Sequence, residues 1–446
     1  MRGPIPRSRR PPPPSRALAR ALALGLCLLA GAAAADTLPA APNASNDIIA
    51  PLAPLPPDPK NPILRSSAGD TGIRLYDWMF YPKISAGAVY NDNLLQTEFR
   101  RIEAVGTRLR PDLVAVRDNG FSNTLVYANT DAWLYPSAPH GSTFNGQVGI
   151  NQTWRIGRDL EVGGMVEYDR LTYLVNGGPY LTSSGPAYLI SPEHYQTFQA
   201  GASVKKSFDR LFLGLALDTK SMVFAPLDTT YGLLPEGYRN GLVTTLTGRA
   251  GYWATPAVYV FTEAAGNMHA LTDSRLDSHG LRAIAGVGSD RISLFRGEVY
   301  GGYQRQIYAG SLAGTAASPL FGGKIMWYPR REWKVTAALD EIFTDYNLPT
   351  PANPNGSPAR DTAAQLNIDY QLALKWSAVW HNRYDHFAYL DATRRDDNWL
   401  SGLTLNYEVH HGLGVWVDAS YDRFATTQAY SNYTNSVLTV GGTQKF

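Results

Sequence analysis

The sequence has a single cysteine among 446 residues and few charged residues for its length. One cysteine excludes a disulfide scaffold and a metal site built from several thiolates. Charged residues make up 17% of the chain, below the roughly 25% of a typical soluble domain, which excludes a disordered polyelectrolyte. The mean hydropathy is slightly negative, which excludes a polytopic helical membrane protein, because such chains need several apolar runs of about 20 residues.

The first 35 residues form a distinct segment. They contain six arginines and no acidic residue, followed by an apolar run from Ala21 to Leu29 and a small-residue site at Ala33-x-Ala35. This order is typical of a secretory signal peptide, whereas the apolar core is short for the alternative, a transmembrane anchor. Without residues 1–35 the chain keeps 34 basic and 38 acidic residues, so its net charge is −4.

Residues 36–80 differ again, since prolines recur closely, for example at Pro54, Pro56, Pro57 and Pro59. Such spacing removes backbone donors and favours an extended, polyproline-like chain. We therefore expect a periplasmic tail or linker, with a docking segment for a periplasmic partner or a lumen plug as alternatives.

From residue 81 to 446, apolar and polar residues alternate in stretches of about ten. In Ala364–Trp376 the even positions are mainly apolar and the odd positions mainly polar, and Leu211, Leu213, Leu215 and Leu217 repeat the pattern. A period of two predicts strands with one apolar and one polar face.

The connections between these stretches alternate in length. Eight short turns, such as Asp118-Asn119-Gly120 and His411-Gly412, separate nine longer polar connections. Short turns at one end and long loops at the other predict an all-β transmembrane antiparallel barrel of about 18 strands, with 16 left open. The turns would face the periplasm and the loops the exterior. A soluble β-sandwich also alternates, but the signal peptide and the turn asymmetry count against it.

Aromatic residues support the barrel. Tryptophans recur near strand ends on the apolar side, for example Trp154, Trp327, Trp333 and Trp399, as an interfacial girdle requires. The chain also closes on Phe446, at the end of an alternating segment. A terminal aromatic there resembles the sorting signal read by the bacterial barrel-assembly machinery, which we expect as a partner together with outer-membrane lipid.

The same alternation predicts which side chains line the lumen. Basic, acidic and aromatic residues all occur on the polar face, so the lumen should not steer strongly for either charge. Aromatic rings beside mixed polar groups suit a carbohydrate, although the rings could equally fill space. The lumen candidates are Arg108, Arg110, Asp112, Arg249, Tyr259, Phe261, Glu263, Arg296, Glu298, Tyr300, Asp369, Arg383, Asp385, Trp416 and Asp418.

No G-x-S-x-G or H-E-x-x-H motif occurs, so we expect no enzyme, no cofactor and no metal. His381 and His386 leave a lipid-acting barrel site open, but no serine nucleophile is spaced to them. The run Tyr90-Asn91-Asp92-Asn93 could bind Ca²⁺, although an Asx turn at the start of a loop is the favoured interpretation.

The stretch Lys83–Asn93 resembles the first strand of the putative β-barrel porin 2 family, which runs into a Y-x-D-N-like motif. Arg108-Leu109-Arg110-Pro111 also resembles that family's second strand. The resemblance implies a Gram-negative outer-membrane barrel, often associated with exopolysaccharide loci, with no catalytic residues. It adds a periplasmic polysaccharide-export protein as an expected partner.

The sequence thus predicts an outer-membrane conduit for exopolysaccharide export or carbohydrate passage. The alternative is a general passive-diffusion porin for small solutes. We expect no nucleic acid among its partners, and we expect both ends of the barrel at the periplasmic side, because the strand number is even.

Overall fold

Alternating side chains give the strands two different faces, and antiparallel pairing joins the strands into one sheet. The computed structural model describes residues 72–173, 180–182, 185–290, 294–310, 314–347, 357–390, 392–427 and 431–446. The barrel strands are β1 (Trp78–Asn91), β2 (Ala104–Asp118), β3 (Ser122–Leu134), β4 (Thr143–Ile156), β5 (Leu160–Tyr173), β6 (Glu193–Phe208), β7 (Leu211–Phe224), β8 (Gly241–Trp253), β9 (Tyr259–Leu271), β10 (Ser278–Ser289), β11 (Phe295–Tyr308), β12 (Thr315–Trp327), β13 (Trp333–Asn347), β14 (Ser357–Ala373), β15 (Trp376–Tyr389), β16 (Arg395–His410), β17 (Leu413–Thr426) and β18 (Tyr433–Lys445).

Each strand pairs with the next along the chain, and β18 pairs back with β1. The closing register runs from Lys83 opposite Lys445 to Asn91 opposite Val437. Closure leaves no free edge on the outermost strands, which is what a sheet in a bilayer requires. The predicted 18-strand antiparallel barrel is therefore confirmed. The start of β1 and the end of β18 lie at the same side of the barrel.

The connections follow the predicted alternation. Eight turns of two to five residues join the strands at one end, and we assign this end to the periplasm. Gly157 and Gly412 lie in two of these turns with φ of 70° and 77°, a region that favours glycine. The loops at the other end are L1 (92–103), L2 (135–142), L3 (174–192), L4 (225–240), L5 (272–277), L6 (309–314), L7 (348–356), L8 (390–394) and L9 (427–432).

Small elements decorate the loops. The short 3-10 helices are Pro139–Gly141 in L2, Gly237–Arg239 in L4 and Ser274–Leu276 in L5. L3 carries the hairpin Tyr180–Thr182 with Gly185–Ala187, and L4 carries Leu227–Thr229 with Gly232–Leu234. Over the described residues, no helix has the length and apolar character needed to cross a membrane.

The two faces differ as predicted. On β7, Leu213 and Leu215 are 43% and 49% exposed on the outside, whereas Phe212 and Ala216 are buried on the inside. The predicted girdle tryptophans lie on the outer face. Near the periplasmic turns they pair with further aromatics across strands, since Trp333 stacks on Tyr370 with ring centroids 4.1 Å apart. The chain therefore presents an apolar band to lipid and a polar wall to the lumen.

The signal peptide and most of the proline-rich segment lie outside the described residues and remain predictions. The short strand Ile73–Leu75 pairs with the start of β1, and β1 itself begins at Trp78. The barrel thus begins a few residues before residue 81.

Leu215→Arg should destabilise the barrel by about 2–4 kcal/mol, because it places a cation on the lipid face near mid-bilayer. The measurement is the denaturant midpoint in lipid vesicles. Leu215→Met, which conserves volume, serves as the control and should change stability little. Equal stability of the two variants would contradict the assignment of this face to lipid.

Candidate functional site

The inner face of the barrel is the candidate functional surface. The register of the strands places all fifteen lumen candidates on this face, because their cross-strand partners also point away from the exposed apolar band. For example, Arg249 lies opposite Glu263, and Arg383 lies opposite Gln365.

The charges of the inner wall are largely paired with one another. Arg108 donates to Asp131 at 2.7 Å, and Arg249 lies between Glu263 at 2.7 Å and Glu298 at 2.8 Å. Further inner-wall pairs are Lys83–Asp112, Arg282–Asp340, Lys334–Asp369 and Arg383–Asp385. Pairs that cancel locally leave little net field along the lumen.

The inward aromatic rings are covered by their neighbours. Phe261 is 3% exposed, and the guanidinium carbon of Arg249 lies 4.3 Å from its ring centroid. The hydroxyl of Tyr259 donates to Glu298 Oε1 at 2.5 Å, and that of Tyr300 donates to Asp340 Oδ1 at 2.9 Å. These rings therefore build the wall, and Phe261 offers no open face on which a sugar could stack.

Uncharged polar side chains fill the space between the charged pairs. Gln306 Nε2 donates to Asn267 Oδ1 at 3.1 Å and to Ser278 Oγ at 2.9 Å, and Gln304 Nε2 donates to Ser318 Oγ at 3.3 Å. All five side chains are buried on the inner face of β9 to β12. Their hydrogen bonds are made to one another within the wall, and they add no charge to it.

The motif at the end of β1 anchors the first loop. Asn93 is fully buried, and its Nδ2 donates to the carbonyl oxygens of Thr97 and Thr434, both at 2.9 Å. Its backbone N–H donates to Asn91 Oδ1 at 2.9 Å, while its own Oδ1 accepts from the N–H of Thr97 at 3.1 Å. This is the expected Asx turn, extended by a tether to β18.

L1 bends inward and lies against the lumen wall. Leu94 is 3% exposed and packs with Val89, Ala104 and Tyr135 on the inner side of β1, β2 and the start of L2. Gln96 Nε2 donates to Asp422 Oδ2, an inner-face carboxylate of β17, at 3.1 Å. The loop therefore occupies part of the extracellular mouth.

L1 also contacts the loops on its other side. The guanidinium carbon of Arg100 lies 4.8 Å from the ring centroid of Tyr188 in L3. L3 in turn pairs with L4, since Leu189 bridges Thr229 and the N–H of Thr230 donates to the carbonyl of Tyr188 at 2.9 Å. L1, L3 and L4 thus form a continuous chain of contacts over one side of the mouth.

A buried arginine holds L4. Arg239 Nη1 donates to Glu193 Oε1 at 3.0 Å and to Glu236 Oε2 at 3.1 Å. Its guanidinium carbon lies 4.1 Å from the ring centroid of Phe224. Burial raises the pKa of Glu236, and the charge of the neighbouring Arg239 opposes that shift.

The side-chain oxygens of Asn91, Asp92 and Asn93 accept hydrogen bonds from backbone N–H groups of the protein itself. Besides the contacts of Asn93, Asp92 Oδ1 accepts from the backbone N–H of Ser436 at 2.6 Å. Among the described residues, no group of three or more histidine, cysteine, aspartate or glutamate side chains could hold a metal. The Asx-turn interpretation therefore accounts for this motif.

The two histidines lie on opposite faces of β15. His381, opposite Asn367, shares the inner face, whereas His386 lies on the outer face with Nδ1 2.8 Å from Asp397 Oδ1. An odd spacing along one strand separates the rings, so they cannot serve one site.

Phe446 ends the chain on the outer face and is half-exposed, with its N–H donating to Pro82 O at 3.1 Å. Its role as an assembly signal remains a prediction.

Comparison with known proteins gives a family and several distant structures. The family model described as putative beta-barrel porin 2 matches residues 67–446. None of the curated proteins matches the sequence. Similar solved structures include a BenF-like porin from Pseudomonas fluorescens Pf-5, with 11% identity, coverage of 83% of this chain and 100% of that one, and a TM-score of 0.43. OccK2 (OpdF) from Pseudomonas aeruginosa in complex with glucuronate has 10% identity, coverage of 83% and 99%, and a TM-score of 0.42.

Asn93→Ala should release L1 from the wall, because two carbonyl oxygens lose their donors at a cost of about 1–3 kcal/mol. We expect a larger single-channel conductance and faster external proteolysis within L1. Thr97→Val is the control, since it removes only a 3.5 Å hydroxyl contact. Unchanged conductance and proteolysis in Asn93→Ala would show that the tether does not hold the loop.

Arg239→Met should loosen L4 by about 3–5 kcal/mol, because it leaves two buried carboxylates without their cation. Hydrogen exchange of residues 225–240 in the folded barrel measures the opening. Arg275→Met is the matched control, since Arg275 pairs with Asp273 at an exposed position in L5. Hydrogen exchange in L4 that stays as slow as in the control would show that Arg239 does not hold this loop.

Proposed function

The chain belongs to the putative beta-barrel porin 2 family, and we propose that it forms a passive channel through the outer membrane for small hydrophilic solutes. Neutral hydroxylated molecules, sugars among them, are the proposed solute class. The inner wall carries this proposal: its charges are paired locally, and amides and hydroxyls lie between the pairs. A solute that exchanges hydrogen bonds without bringing charge meets no electrostatic barrier in such a wall.

The size limit is proposed to come from L1. The loop lies on the inner wall at the mouth, and its contacts with L3 extend the obstruction across part of the opening. Because Asn93 anchors the loop through backbone carbonyls, the obstruction is a built feature of the fold. A channel narrowed in this way favours monomers and short oligomers over a polymer.

Export of an exopolysaccharide is the second proposal. It rests on the family to which the chain belongs, whose first strand the stretch Lys83–Asn93 resembles, and on the polar wall. A periplasmic polysaccharide-export protein would then be the partner, and the narrowed mouth would require L1 to move during passage. This requirement is why we place the proposal second.

Vesicles containing the protein should swell in monosaccharides and disaccharides and progressively less in longer oligosaccharides. The measurement is the initial swelling rate against solute size, and the limit should shift upward in Asn93→Ala. Ion selectivity in planar bilayers should be weak, because the inner-wall charges are paired. Strong block by long oligosaccharides without monosaccharide passage would favour the export proposal.

The export proposal has its own test in cells. Deletion of the gene should lower secreted polysaccharide, and the intact chain should restore it. Unchanged secretion after deletion would remove the export proposal and leave the solute channel standing.

A further inference from the structure

One seam of the barrel wall is joined over only part of its length. Between β12 and β13 the register covers five pairs, from Gly323 opposite Leu339 to Trp327 opposite Val335. Every other pair of neighbouring barrel strands has between nine and fourteen. Within the described part of the chain, Thr315 to Gly322 have no register partner on β13, although they remain paired with β11.

Beyond Leu339, β13 passes inside β12. Glu341 and Phe343 belong to the outward-pointing series of β13, yet both meet the inner face of the neighbouring wall. Glu341 Oε1 accepts from Ser318 Oγ at 3.4 Å, and Phe343, 3% exposed, packs with Tyr308 and Ala316. The two strands therefore overlap at their extracellular ends, with β12 on the outside.

This overlap leaves the edge of β12 to the outer leaflet, since Thr315 lies at the L6 end of the strand. Unpaired N–H and C=O groups are costly in a bilayer and must find other partners. Pro319 lies within the unpaired stretch and has no N–H, which suits an edge strand and would weaken a central one. The sequence is thus adapted to an edge at this position.

A cavity of about 410 Å³ lies along the seam. It is bordered by the β12 edge and by Phe343, Arg360, Ala388, Tyr389 and Leu390. Arg360 is exposed, and it forms no ion pair with any described residue. The cavity therefore combines apolar side chains, an arginine and backbone edge groups at the level of the outer leaflet.

We propose that this seam binds an outer-leaflet lipid with an anionic phosphate headgroup, one whose negative charge is not balanced by a cation of its own. An acyl chain packs against Ala388 and Leu390, which border the cavity, and the phosphate accepts from Arg360. Headgroup oxygens accept from those β12 N–H groups that point away from β11. The lipid thereby supplies the acceptors that β13 does not, and it completes the wall without entering the solute path.

The test uses an environment-sensitive fluorophore on Ala317→Cys, an exposed position at the cavity, in the Cys27→Ala background. The labelled protein is refolded into vesicles containing either dibrominated phosphatidylglycerol or dibrominated phosphatidylcholine, since bromine quenches the label only at contact. We expect about threefold preferential quenching by phosphatidylglycerol, the size that one partly exposed ion pair gives.

Arg360→Gln should abolish this preference, while the swelling rates for sugars stay unchanged. Arg423→Gln is the matched control, because Arg423 is also an exposed arginine on the outer face, near the L9 end of β17. Equal quenching by the two lipids, or a preference that survives Arg360→Gln, would overturn the proposal. Quenching that falls as protein density rises would assign the seam to a second copy of the chain, and would overturn it as well.

Discussion

The backbone's need for hydrogen-bond partners in a medium without water is the constraint on which this molecule depends. Each strand satisfies its backbone groups by pairing with its neighbour, and β18 closes the sheet by pairing with β1. Once the sheet is closed, the alternation of side chains has only one consistent arrangement, with leucines such as Leu215 outside and polar groups inside. The seam at β12 is where this constraint is met least completely by the barrel itself.

The inner wall follows from closure. Side chains on a concave surface crowd one another, so inward charges lie within reach of partners on adjacent strands. Arg249 between Glu263 and Glu298 is an example, as is Arg108 with Asp131. Crowding also buries rings that a flat sheet would expose. The resulting wall is polar, and its charges are largely paired.

The shape of the mouth has a different origin. L1, L3 and L4 are placed by a few buried hydrogen bonds, chiefly those of Asn93 and Arg239. Such contacts join residues that are far apart in the chain, as Asn93 and Thr434 show. A short motif at the end of the first strand thereby places a loop at the mouth of a lumen built by all eighteen strands.

Much of the fold could be predicted, because strand periodicity and turn chemistry are local properties. Alternation, as in Ala364–Trp376, was sufficient to predict which face of a strand each lumen candidate lies on. The turns, such as those at Gly157 and Gly412, predicted the strand number and the connection lengths, and the outward tryptophans supported them. The Asx turn at Asn91–Asn93 could also be predicted from the sequence. The family resemblance rested on the same local motif.

The inward path of L1, the lock on L4 and the overlap at β12 could not be predicted. Nothing in the sequence indicates that Gln96 contacts Asp422, or that Glu341 contacts Ser318. By itself the sequence determined which face of each strand meets lipid, since that depends on the order of side chains along one strand. Only the tertiary structure decided where L1 lies in the mouth and where the wall is incomplete, because both depend on contacts between segments that closure brings together.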